Sequence, residues 1–183
     1  SVGGNLTLTS GAAAGITDVD SGTVTVGGNL IATTDDNDGV INMDQLAVDG
    51  SIALVTDGNG AATVENDASI EFATSTVRGA LTATATTGDI TDSGTLTITG
   101  ASLFTTKVDG RNIVLDSSGN SFAAAVTMKA GAAGGDTFGN ITFVDSAAVK
   151  LHSSAGTNGD LFIDAGTDLA VGGNLSITAT TGN

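Results

Sequence analysis

SVGGNLTLTS at residues 1–10, TVGGNLIATT at 25–34 and AVGGNLSITA at 170–179 are three versions of one phrase. In each, a glycine pair and an asparagine lead into a short run that alternates apolar and polar residues. Alternation of period two marks a strand with one buried face, and the Gly–Asn head is turn chemistry. The same grammar recurs in GTVTV (22–26), GVINM (39–43), GSIAL (50–54), GALTA (79–83), GTLTI (94–98), GNITF (139–143) and GDLFI (159–163). Val, Ile and Thr fill these runs, as a pleated surface prefers. No segment carries an apolar stripe of helical period, so the chain reads as all β.

Spacing sets the architecture. VGGNL at residue 2 returns at residue 26, and VDGSI follows at residue 48, steps of 24 and 22. A longer echo pairs VRGALTATATTGD (77–89) with VGGNLSITATTGN (171–183), eight of thirteen positions being identical at an offset of 94. A tandem of immunoglobulin-like sandwiches would carry a long period of that size. It would have no reason to repeat within itself, and it would usually draw on Trp, Tyr and Pro, all absent here. A parallel β-solenoid explains both periods. The expectation is a single solenoid segment over residues 1–183, part of a longer repeat array or stacked head to tail, with about 22–24 residues per coil and 7–8 coils. Inward Val, Ile, Leu and Ala should form columns, with outward Thr, Ser and Asp facing water. The corner glycines are expected to supply backbone angles barred to other residues, and the asparagine to fill hydrogen bonds of its own turn.

Composition narrows the function. The chain has 20 Asp+Glu against 5 Lys+Arg, a formal charge of −15, with 27 Gly and no Cys. Nucleic-acid binding is disfavoured, because phosphate contacts need many cations. Forty per cent apolar content argues for a folded chain. No run approaches the ~18 apolar residues of a membrane span. Absence of Cys removes disulfides and thiolate metal sites, and suits a chain exported unfolded.

STVRGALTATATTGDITDSGTLTITGASLFTT (75–106) and GRNIVLDSSGNSFAAAVTM (110–128) resemble the repeats of very large bacterial surface proteins, the filamentous-haemagglutinin-like exoproteins and adhesins. The resemblance covers nearly the whole chain and is strongest from about residue 75 onward. It implies a right-handed parallel β-helix, secreted to the cell surface or beyond it, that serves as a structural shaft in adhesion or as a filament. Its partners would be further copies or a continuing chain, together with a glycan or host surface. On that reading the chain is not an enzyme and has no catalytic residues.

Five sets of residues carry candidate chemistry. His152 is the single histidine and is followed by Ser153 and Ser154, but strand neighbours point to opposite faces and cannot converge as a triad. Lys107, Asp109 and Arg111, at spacing i, i+2, i+4, would share one face of an extended segment, as a polysaccharide-active β-helix could use. Threonine pairs at 7 and 9, 82 and 84, and 95 and 97 could stack into the flat ranks of an ice-binding solenoid. Asn5, Asn140 and Asn174 head N-x-S/T sequons.

Asp35, Asp36 and Asp38, in DDNDG, are hard oxygen ligands of the kind Ca²⁺ takes, and Ca²⁺ is the one cofactor the sequence suggests. Residues 1–77 hold 11 acidic residues and no Lys or Arg, so coiling would stack like charges about 5 Å apart. Millimolar Ca²⁺ is therefore expected to raise the melting temperature by mass action. A melting curve indifferent to Ca²⁺ and to chelator would leave the acidic half as a solubility device.

Overall fold

The computed structural model describes residues 1–18, 21–35, 37–132, 137–146, 150–152, 160–163 and 175–179, the last three stretches by backbone alone. Twenty strands are present among these residues. The first are β1 (Leu6–Ser10), β2 (Ile16–Thr17), β3 (Val24–Val26), β4 (Leu30–Thr34), β5 (Ile41–Val48) and β6 (Ser51–Val55). Three coils of three strands follow: β7 (Ala62–Asn66), β8 (Ile70–Phe72) and β9 (Ser75–Val77); β10 (Leu81–Ala85), β11 (Ile90–Asp92) and β12 (Leu96–Ile98); β13 (Ser102–Thr106), β14 (Ile113–Leu115) and β15 (Ser121–Phe122). Then come β16 (Val126–Ala130), β17 (Ile141–Asp145), β18 (Lys150–His152), β19 (Asp160–Ile163) and β20 (Leu175–Ala179). They form an 11-stranded and a 9-stranded sheet, and every pairing is parallel. Among the described residues the strands stack as a β-solenoid of about six turns. No helix among the described residues is long and apolar enough to cross a membrane.

Coil length is not constant along the stack. Along one sheet the equivalent residues Ile16, Ile41, Ala62, Leu81, Ser102 and Val126 lie 25, 21, 19, 21 and 24 residues apart. Along the other, Ile113, Ile141 and Leu175 are separated by 28 and 34. The paired segments keep their register while the corners leading from the 9-stranded into the 11-stranded sheet vary, from two residues between β5 and β6 to ten between β16 and β17. A ladder constrains the strands because each N–H and C=O must meet its neighbour, whereas a corner can bulge into water.

Inward side chains alternate with outward ones as the strand pattern requires, for example buried–half-buried–buried–half-buried–buried in β7, β10, β13 and β16. Ile70, Ile90, Ile113 and Ile141 stack as one column of buried isoleucines. Met43, Val64, Ala83, Phe104 and Met128 form another. The few aromatics are concentrated rather than dispersed. Phe72, Phe104, Phe122 and Phe143 are all buried and touch in series, with centroids 6.3, 6.2 and 5.1 Å apart. The first two contacts are edge-to-face at 81° and 86°, the geometry aromatic quadrupoles favour.

Among the described residues one buried hydroxyl lacks a partner: Ser102 Oγ, in an inward column between Leu81 and Val126. Because its hydroxyl is desolvated without compensation, Ser102→Ala should leave stability unchanged or raise it by up to about 1 kcal/mol. Phe104→Ala, which removes the ring joining two aromatic neighbours, should cost about 3–5 kcal/mol. Denaturant titration followed by far-ultraviolet circular dichroism measures both.

Candidate functional site

The repeated phrase occupies a corner, and its residues act across coils. Asn29 N–H donates to Asn5 Oδ1 (2.9 Å), and Ser51 N–H donates to Asn29 Oδ1 (3.0 Å). After a gap at the β8 coil the ladder resumes. Asn112 N–H donates to Asp89 Oδ1 (2.8 Å), and Asn140 N–H to Asn112 Oδ1 (2.8 Å). Register explains the alignment, since each of these residues directly precedes a strand position paired with its equivalent one coil away.

The glycines complete the arrangement. A Cβ on Gly28 would strike Asn5 Oδ1, and one on Gly50 would strike Asn29 Oδ1. Gly15, Gly58, Gly110 and Gly131 are the positive-φ glycines among the described residues, and none belongs to a Gly-Gly-Asn phrase. The expectation from sequence is thus corrected twice. The second glycine of the phrase makes room for the preceding coil's amide, and the asparagine serves the next coil's backbone rather than its own turn.

Carboxylates and buried amides repair the ladder where strand lengths mismatch. The long β5 faces β2 and β3, which leave a gap between them, and Asp18 fills it by accepting Asp44 N–H (3.2 Å) and Gln45 N–H (2.9 Å). On the other side β5 shifts register against β7 between Met43 and Leu46. There the buried Asn66 accepts Val48 N–H (2.8 Å) and donates to Val48 O (3.0 Å) and Ser69 O (2.7 Å). Ser75 Oγ accepts Leu54 N–H (3.1 Å) where β6 passes from β8 to β9. Asn120 Oδ1 accepts Leu96 N–H (2.8 Å), while its Nδ2 donates to Asp92 Oδ2 (2.6 Å).

The residues singled out from sequence are placed as follows. Asp35 accepts the backbone N–H of Asn37 (3.2 Å) and its amide (2.8 Å). Asp38, at φ 60°, accepts Asn59 N–H from the next coil (2.6 Å). Asp36 lies outside the described residues, and no group of three His, Cys, Asp or Glu side chains that could hold a metal is present among those described. Lys107, Asp109 and Arg111 do not share a strand face, because residues 107–112 form the corner between β13 and β14. Lys107 pairs with Glu65 (2.6 Å), and Asp109 Oδ1 accepts Ala132 N–H (3.0 Å). His152 is placed by its backbone in β18, and Ser153, Ser154 and Asn174 lie outside the described residues. The threonine ranks are interrupted. One outward column reads Thr17, Asn42, Thr63, Thr82, Leu103, Thr127, and the next reads Glu65, Thr84, Thr105, Lys129.

Sequence reading missed one feature, an open groove of about 540 Å³ on the outer face of the 11-stranded sheet. Asn29, Ser51, Glu71 and Thr91, stacked in register from four consecutive coils, make its floor, with Asp49 and Asp89 at its side. The lining offers carboxylates, amides and hydroxyls, of which Asn29 Oδ1 and Asp89 Oδ1 are already engaged along the stack. Only the period-two face and the coil register together could have located it.

Residues 58–129 match a family described as "Repeats of unknown function (DUF5649)". Neither the curated proteins nor the solved structures contain a match to the chain.

The corner and repair bonds make separable predictions. Asn112→Ala should cost about 1–2 kcal/mol, whereas Asn112→Asp keeps an acceptor for Asn140 N–H and should cost less. Asn66→Ala should cost roughly 2–4 kcal/mol, and here Asp should not rescue, because it would set a carboxylate oxygen against two carbonyls. Equilibrium unfolding of the four variants checks both contrasts.

Proposed function

We propose that this chain is a structural shaft segment of a secreted bacterial surface fibre or adhesin, serving cell-surface, cell–cell or matrix attachment or filament formation, with no catalysis of its own. The observation that carries the reading is the axial ladder. Each coil is templated by the one before it through backbone pairing and through corner side chains. Such a body extends along one axis by adding coils to the same strand ladder, the property a shaft needs. The repeat-family match over residues 58–129 and the resemblance of residues 75–128 to haemagglutinin-like repeats support the same reading. So does the absence of Cys, since no thiol needs an oxidant on the way out.

The groove supports a second reading, a polysaccharide-active β-helix, because Glu71 and Asp49 present exposed carboxylates along a polar cleft. The broken threonine columns give no comparable support to an ice-binding face.

The test uses the full-length protein in its own cells. An antibody raised against this segment should label intact cells, and brief external protease treatment should remove both the label and any visible surface fibre. Labelling only after cells are permeabilised would overturn the proposal. Release of reducing ends from a polysaccharide panel by the purified chain, lost in Glu71→Gln, would favour the enzyme instead.

A further inference from the structure

The corners that lead from the 9-stranded into the 11-stranded sheet lie on one edge of the shaft, and that edge changes character along its length. In successive coils it carries Asp49, Asp67 and Asp89, with Glu71 exposed beside them. It then meets the enlarged corner 107–112, followed by the corner that ends at Phe138 and Asn140. Gly110 N–H donates to Thr137 O (3.0 Å), and Gly139 packs against Arg111 O, so residues 110–111 and 137–139 lie against one another. Val108 and Phe138 are 38% and 39% exposed. Arg111 is exposed as well, and among the described residues its guanidinium makes no ion pair.

We infer that this edge pairs two copies of the chain side by side and antiparallel about a two-fold axis. The argument is charge and register. Ser51, Glu71, Thr91, Val114 and Thr142 occupy one outward column in five consecutive coils. A two-fold axis through the coil of Thr91 sets the coil of Val114, whose corner carries Arg111, opposite the partner coil of Glu71. The same operation sets the coil of Thr142, whose corner carries Phe138, opposite the partner coil of Ser51. There the open groove lined by Asn29, Asp49 and Ser51 faces that ring. Both contacts occur twice, as an isologous interface requires. At about 4.8 Å per coil the five coils span roughly 20 Å. Asp89, close to the axis, is half-buried with Oδ1 turned along the stack to Asn112 N–H, which limits its repulsion of its symmetry mate. Distant charges on the two acidic shafts are screened beyond about 8 Å at physiological salt, so the local Arg111–Glu71 contacts decide. The partner on this reading is the chain's own cation-free acidic half, residues 1–77. The inference concerns the side of the shaft and does not depend on where a fibre is anchored.

Sedimentation velocity on the purified chain, from about 10 µM to about 1 mM, should show a monomer–dimer equilibrium. Arg111→Glu and Glu71→Arg should each weaken it at least about tenfold, with unchanged strand-rich circular dichroism because both positions are exposed. Mixed together, these two variants restore both contacts and should form a heterodimer that neither forms alone. A chain that stays monomeric throughout, a dimer insensitive to either charge reversal, or a mixture that does not associate would each overturn the pairing. So would Arg111-dependent retention of a monomeric chain on an anionic polysaccharide.

Discussion

A parallel strand forms no hydrogen bonds within itself, so the backbone N–H and C=O groups of the described strands look along the axis for their partners. The rest of the structure follows from that demand. It holds strands in register over successive coils, stacks like side chains into columns such as Ile70, Ile90, Ile113 and Ile141, and leaves the corners as the place where the chain can change length. It also makes a mismatch costly. Wherever a long strand outruns its neighbour, a buried donor or acceptor would be stranded. Asp18, Asn66, Ser75 and Asn120 sit at such places and carry the missing half of the bond on a side chain.

This reframes the acidity of the chain. With a formal charge of −15 the obvious readings are solvation and cation binding. Yet Asp18, Asp38, Asp89, Asp92 and Asp109 all accept backbone N–H groups from the adjoining coil. An Asp carboxylate is short, rigid and accepts several bonds, which suits a donor about 5 Å up the stack. Asn does the same work at Asn5, Asn29 and Asn112. Charge is then partly a by-product of using the shortest available acceptor.

The same geometry connects to function. A body held together coil by coil resists no change in length along its axis, so coils can be added without redesign, and variation collects at corners and on outward columns. The polar groove floored by Glu71 and the exposed corner residues Arg111 and Phe138 lie at such places. Neither disturbs the inward columns, which is why a repeat solenoid can carry them.

The sequence by itself determined the strands, their buried faces and the solenoid. Period-two alternation after a glycine is a local signal, and runs such as LTATA at 81–85 or ITFVD at 141–145 state which side is inward without reference to anything distant. The repeat of Gly-Gly-Asn likewise identified the corners. What only the tertiary structure decided was partnership. Asn5 serves a residue 24 positions on, Asn112 one 28 positions on, and Asp18 a pair 26 and 27 positions on. The offset equals the coil length, and coil length drifts because corners accept insertions that strands refuse. The six-residue corner that removes Lys107, Asp109 and Arg111 from a common face, and the four-coil alignment that builds the groove, depend on that drift. No single period read from the sequence carries it, since the ladder fixes which residues meet only after the chain has closed each turn.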